Sequence, residues 1–514
     1  MSRQALTRRG FLAAGVLGGA ALVACGRSAN SGPTGGAPTP GAIDAAEAAR
    51  PHTGRTVTAH LTPGPADIDL GGARARTFAY NGQVPGPLIR ANVGDDIAVT
   101  VDNGLDHPTS VHWHGIALRN DMDGASPASP NIAPATGFIY RFSSPHPGTY
   151  WAHPHTGLDT DFGLYVPVIV DDPAEPGRYD AEWIVMLDDW TSGVGTSPEQ
   201  IFRGLQSMGG MGQMQMPGMG GMGHMPGMGG MGSMPGVPGV GGVGSSDLLG
   251  GDAGDVSYPY YVVNGRIPSA ATTFAAKPGN RIRIRIINAA ADTAFRVALA
   301  GHRMTVTHTD GFPVRPDDVD ALLVGMGERY DVIVTAGDGV FPLVAAAEGK
   351  NAVARALLST GGGSAPDAAF RPTQLTGRVG TVDTFTAATE VQLPATSDHA
   401  LQVRLSGMMM RYDWMINGRP YDQTVPLQVH RGQNITLTFV NDSMMWHPMH
   451  LHGHTFQVLK PDGSTGPRKD TVIVKPMQTV AVRMIADNPG EWMLHCHNAY
   501  HMEAGMMTTM NYTG

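Results

Sequence analysis

Three times along the 514 residues a pattern recurs: Asn-Gly, then a Gly, then alternating apolar residues closing on an Asn nine positions after that Gly. The copies are Asn81-Gly82 with Gly94 to Asn103, Asn264-Gly265 with Gly279 to Asn288, and Asn417-Gly418 with Gly432 to Asn441. Period-2 alternation marks strands with one buried face. With Gly at 69, Pro at 39 and only 15% charged residues, the chain is turn-rich. Three related β-sandwich domains, all-β throughout, are the economical reading. The boundaries expected are 51–175, 176–370 and 371–514.

Aligning the copies shows what each domain carries. Nine and eleven residues after the closing Asn stand His112 and His114 in the first copy and His450 and His452 in the third, but Val297 and Leu299 in the second. A later strand repeats the contrast. Pro147-Gly148-Thr149-Tyr150-Trp151-Ala152-His153-Pro154-His155 matches Pro489-Gly490-Glu491-Trp492-Met493-Leu494-His495-Cys496-His497, whereas the second domain offers Val344 and Ala346. Domains one and three are expected to bind metal and domain two to be a spacer. On a strand His495 and His497 face one way and Cys496 the other, so one strand could touch two metal sites. Cys496 with His501, Met506 and a further His is the donor set of a blue copper centre. His447 lies six residues after Asn441, where the first domain has Thr109, and Cys496 is matched by Pro154, so only domain three can hold that copper.

These motifs, His112-Trp113-His114-Gly115, His153-Pro154-His155, His447-Pro448-Met449-His450-Leu451-His452 and His495-Cys496-His497 with His501 and Met506, resemble the four copper motifs of the multicopper oxidases, from about Arg55 to Gly514. The resemblance implies three cupredoxin-like domains and four copper ions. Type 1 copper would take His447, Cys496, His501 and axial Met506, and type 2 copper His112 and His450. The type 3 pair would take His114, His153 and His497 on one ion and His155, His452 and His495 on the other. It implies four one-electron oxidations, transfer through Cys496, and reduction of O₂ to water. Asp123, nine residues past His114, stands where the family keeps an acid for proton relay. A second relay acid is less defined: Met502 follows the last copper His, and Glu503 comes next. The ten other histidines, His107 among them, are read as ordinary surface or core residues.

The chain start carries Thr7-Arg8-Arg9-Gly10-Phe11-Leu12 and an apolar run ending Leu22-Val23-Ala24-Cys25. The twin arginine reads as an export signal, and the run is too short to span a membrane. Its end resembles a bacterial lipobox. Residues 1–25 are thus expected to be a signal, Cys25 a lipid anchor and 26–50 a flexible tether on the periplasmic side of the cell envelope. A net charge of -9 gives no reason to expect nucleic acid. A monomer is expected.

Within residues 207–245 lies a Gly/Pro-interrupted run with Met208, Met211, Met214, Met216, Met219, Met222, Met225, Met228, Met231 and Met234. Soft thioethers select Cu(I), and the spacing excludes a helical core stripe. Near the type 1 motif, Asp442-Ser443-Met444-Met445-Trp446-His447 is similar to the Asp-Met-Met run of periplasmic cuprous oxidases. There Met445 matches a Met two residues before the His, while Asp442 lies five before instead of four. Asp442, Met444 and Met445 are the candidate Cu(I) contacts. The chain resembles actinobacterial copper-resistance oxidases, mycobacterial ones especially. Cuprous oxidase is the expectation, with a laccase-like phenol oxidase or a copper-storing lipoprotein without turnover as the alternatives.

Overall fold

The computed structural model describes residues 40–175, 177–211, 237–241 and 243–513. The twin-arginine leader, Cys25, most of the tether and Met214 to Met234 lie outside them. Among the described residues no helix is long and apolar enough to cross a membrane.

Each Asn-Gly repeat folds the same way. Asn81, Asn264 and Asn417 take φ of 53°, 50° and 53°, and the glycines after them 69°, 71° and 71°. Two successive positive φ values make the type I′ turn whose twist matches the strands it joins. The closing asparagines also share one job. The side-chain amides of Asn103, Asn288 and Asn441 donate to the loop just ahead and to a carbonyl further on, at Ile132, Val324 and Val474.

The strands form paired sheets in each third of the chain. The first third pairs Thr56–Leu61, Asp96–Asp102 and Gly137–Ser143 in one sheet, with His112–His114 and Gly148–His153 in the facing one. The second third has two six-stranded sheets, and the last third a six-stranded and a five-stranded one. Burial along Asn434–Asn441 alternates at every residue, as the pattern requires. Its counterpart Arg281–Asn288 does not alternate, because Arg283 and Arg285 are buried as well. Each meets Asp331, while Arg283 also meets Glu175 and Arg285 meets Glu182 and Thr149, so the charged face of this strand is closed off by the first domain.

The expected tether differs in its last part. Pro40–Ala48 is a helix, held to the first domain by Glu47, which accepts from the Ser143 backbone and hydroxyl at 2.9 and 2.8 Å. Asp44 pairs with Arg119 at 2.9 Å. Gly, Pro and Ser thin out after Gly41, and the Ala-rich stretch that follows favours helix.

Candidate metal centres

The strand Glu491–Cys496 runs antiparallel to His447–Leu451, with His495 opposite His450 and Cys496 opposite Met449. Alternation sends the Cys496 thiol to one side of that sheet and His495 to the other. On the thiol side, Cys496 Sγ lies 3.6 Å from Nδ1 of both His447 and His501, and these two nitrogens are 3.1 Å apart. Met506 is fully buried, and its carbonyl accepts from the Cys496 amide at 3.1 Å.

On the other side eight imidazoles converge from the first and third domains. His112 Nε2 lies 3.4 Å from His450 Nε2, His155 Nε2 lies 3.4 Å from His495 Nε2, and His452 Nε2 lies 3.0 Å from His495 Nε2. His114, His153 and His497 form a third set, with ring centroids 4.9 to 5.8 Å apart. Their inward atoms, His114 Nδ1, His153 Nε2 and His497 Nε2, are buried without any partner. An orphaned buried nitrogen is costly unless something coordinates it.

In six of the eight rings the outward nitrogen is paired, which fixes which atom of those rings points inward. His112 Nδ1 donates to the Asp123 carbonyl at 3.0 Å, and His452 Nδ1 to Asp123 Oδ2 at 2.8 Å. His153 and His495 donate to the carbonyls of Pro154 and Cys496. His450 Nδ1 donates to the Asp470 carbonyl, and His114 Nε2 lies 3.2 Å from Asp470 Oδ1. Burial, with neighbouring imidazoles adding to it, keeps His114, His153, His155, His452, His495 and His497 neutral by pushing each well below the usual value. Neutral imidazoles and one thiol, inward-facing and dry, are a donor set that fits copper.

The middle domain is not a spacer. Asp255 Oδ2 accepts from His501 Nε2 at 2.9 Å and from Tyr412 at 2.6 Å. Burial opposes charge on His501, but Asp255 and Cys496 outweigh it and bring the imidazole up to about 10. Arg329 grips both oxygens of Asp470 at 2.7 Å each. Burial would raise the Asp470 carboxyl, and Arg329, His114 and His450 together hold it well below the carboxylate range. Gly327, at φ of 81°, lets the chain pass His114 and His497 so closely that a Cβ would lie 2.9 and 3.0 Å from their rings.

The candidate contacts beside His447 divide. Position 443, four before His447, is Ser443, whose hydroxyl accepts from His447 Nε2 at 2.8 Å. Asp442 turns outward to Arg404 at 2.5 Å, since the offset of one residue puts it on the far side of the loop. Met445 is buried and Met444 is 73% exposed. Glu503 ends the short helix Ala499–Glu503, and burial followed by Asp159 raises its carboxyl. Sequence reading missed Asp255, Arg329, Asp470 and Ser443. Only Ser443 could have been found by counting back from His447; Asp255 and Asp470 reach His501 and His114 across domains, Asp470 reaches His450 within the third domain, and Arg329 acts through Asp470.

Models of the family described as multicopper oxidase match residues 65–175, 181–363 and 394–513. Multicopper oxidase MmcO of Mycobacterium tuberculosis is 61% identical, over 99% of this chain and 97% of that one. The chain is a multicopper oxidase. Copper resistance protein A of Escherichia coli is 28% identical, over 87% of this chain and 91% of that one. The crystal structure of a laccase from Botrytis aclada shares the fold, with a TM-score of 0.69 at 23% identity over 92% of this chain and 90% of that one. As in its family, this oxidase carries four coppers: one type 1, one type 2 and a type 3 pair.

Proposed function

We propose that this multicopper oxidase is an exported, lipid-anchored cuprous oxidase that protects the cell envelope from copper. His447, Cys496, His501 and Met506 are the type 1 ligands in this reading, and His112 and His450 the type 2 ligands. The two type 3 ions take His114, His153 and His497, and His155, His452 and His495. Bound copper supplies one-electron chemistry at the first centre and reduction of O₂ to water at the second. The chain's part is to hold the imidazoles in fixed tautomers, to link the centres through Cys496 and its flanking histidines, and to manage protons. Asp123, bridging the outward nitrogens of His112 and His452, is the relay carboxylate beside the type 2 position.

The observation that carries the substrate reading is where the methionines are tied down. The run leaves from the helix Pro198–Met211, whose Phe202 packs on Tyr412 and Tyr500 with centroids 6.3 and 6.5 Å away. It returns at Val237 to Gly241, against Gly204 of the same helix. Tyr412 in turn bonds Asp255, the partner of His501. Both ends of a thioether-rich loop are therefore anchored beside the type 1 ligands. Exposed methionines add to this: among the described residues, Met408, Met410, Met444 and Met477 make up four of the eight exposed large apolar side chains. Their loops leave one end of one sheet, because Leu405 pairs with Asn441 and the Asn441 amide bonds Gln478. Soft sulfur at the surface serves Cu(I) and does nothing for packing. Copper resistance protein A, among the relatives, carries that role in its name.

The test compares Cu(I) and phenol oxidation, at limiting substrate, in the full enzyme, in one lacking 212–236, and in one with Met408, Met410, Met444 and Met477 changed to Leu. Cu(I) turnover is expected to fall about tenfold or more with phenol turnover unchanged. Equal loss on both substrates, or none on Cu(I), overturns the cuprous reading in favour of a phenol oxidase.

A further inference from the structure

Of the eight converging histidines, seven are buried and His155 alone is partly exposed. It opens onto a pocket of about 530 Å³ that is also lined by His107, Asp159, Glu199, Tyr421 and Met507. Met507 is paired with His495 across the strand Met507–Tyr512, so the pocket floor lies against the imidazole cluster. Asp159 is nearly buried, only 6% exposed, yet has no Arg or Lys partner among the described residues. Its oxygens accept from His107 Nε2 at 3.0 Å and from Thr156 Oγ1 at 2.9 Å. His107 binds Asp106 through its other nitrogen. A buried carboxyl that shares a hydrogen bond with an imidazole, in a pocket leading to a site that consumes protons, is not explained by packing.

We propose that this pocket is the water-filled passage by which protons reach the trinuclear end of the enzyme, with Asp159 as its relay carboxyl and His107 as the group that positions it. This assigns the second relay acid that the chain lacks after His501, where Met502 stands. Glu199, on the helix Pro198–Met211, lines the same pocket and stands at its outer end. The charged and titratable groups facing Asp159 are His107 from the loop before His112, Glu199 from that helix, Glu503 from the helix Ala499–Glu503, and Tyr80 from the end of the strand Arg74–Tyr80. Burial raises Asp159 against the pull of His107 and Thr156, and Glu199 adds to the rise. Asp159 therefore holds its proton at a higher pH than a free carboxyl does.

The balance is simple. Each O₂ takes four electrons, delivered through Cys496 from four one-electron donors, and four protons from solvent. Asp159 gives a proton inward along pocket water and takes one back from the Glu199 side of the pocket, with no other bond made or broken in the relay. The inference holds for either reductant, so it does not depend on the cuprous reading.

The experiment uses the full copper-loaded chain with a phenol as reductant. For Asp159→Asn, kcat is expected to fall at least about tenfold, in the range of lost proton-transfer catalysis. KM, copper content and blue absorption should stay unchanged, and millimolar formic acid, small enough for the pocket, should restore turnover. Asp159→Glu should keep most of it. Infrared titration of the wild type should show a protonated carboxyl band persisting above about pH 4, the ordinary Asp value, that Asp159→Asn abolishes. An unchanged kcat in fully loaded Asp159→Asn, a loss that formic acid does not rescue, or the absence of that band overturns the relay. Should Asp159→Asn fail to load copper, Asn131→Trp at the exposed rim of the pocket decides. It should slow azide binding to the cluster about tenfold with the blue band intact, and an unchanged rate removes the passage.

Discussion

Ser443 places a hydroxyl 2.8 Å from the outward nitrogen of His447, and nothing else among the described residues meets that atom. Ser443→Ala leaves a buried ring N–H unpaired, which costs about 1–3 kcal/mol. Loss of such an outer partner weakens metal binding about 10–100-fold. The variant is expected to lose blue absorption at chelator concentrations the wild type tolerates, while the trinuclear coppers stay; equal retention of both would show that Ser443 does not position the ring. At this scale the sequence was most informative about the histidines and Cys496, because their spacing alone fixes which strand face they share. It was least informative about their partners. Asp470 and Asp255 lie 20 residues past His450 and 246 before His501, so no local pattern ties them to the rings they hold.

Between elements, the segment Gly325–Glu328 of the middle domain wedges between His114 and His497. Gly327 combines a positive φ with contacts that leave no room for a methyl group. Gly327→Ala must therefore push one or both rings away from their common ion. The expected outcome is a blue protein with about normal type 1 absorption, deficient in type 3 copper by metal analysis and inactive towards O₂; full trinuclear loading would mean the backbone yields instead. The repeat was legible here as three alternating strands, each closing on an Asn. The loss of alternation in Arg281–Asn288 was not, because a strand's second face is decided by what another domain lays over it. Likewise the helix Pro40–Ala48 gains its place from Arg119 and Ser143, which sequence proximity does not reveal.

Over the whole molecule, buried charges join the domains. Asp331 meets Arg283 and Arg285 of its own domain and Thr149 of the first, and Asp470 meets Arg329 between domains two and three. Burial alone would raise both carboxyls, and the arginines overcome it, so each sits below its ordinary value of about 3.9. A depressed carboxyl contributes stability that is complete above the unfolded pKa and is lost as pH falls through the folded one. The melting temperature is accordingly expected to hold down to about pH 5 and to fall steeply below about pH 4, with Asp331→Asn removing part of that slope. An identical acid limb in wild type and variant would show that the interface carboxylate is not its source. The hydrophobic cores match this division: one cluster spans the second and third domains, and a separate one serves most of the first.

The rings of His112 and His450 are 338 residues apart in sequence and 3.4 Å apart in space. No fragment released from synthesis before the third domain is made can present both halves of that cradle. Capturing the trinuclear coppers therefore doubles as a check that the last domain has been made and has met the first.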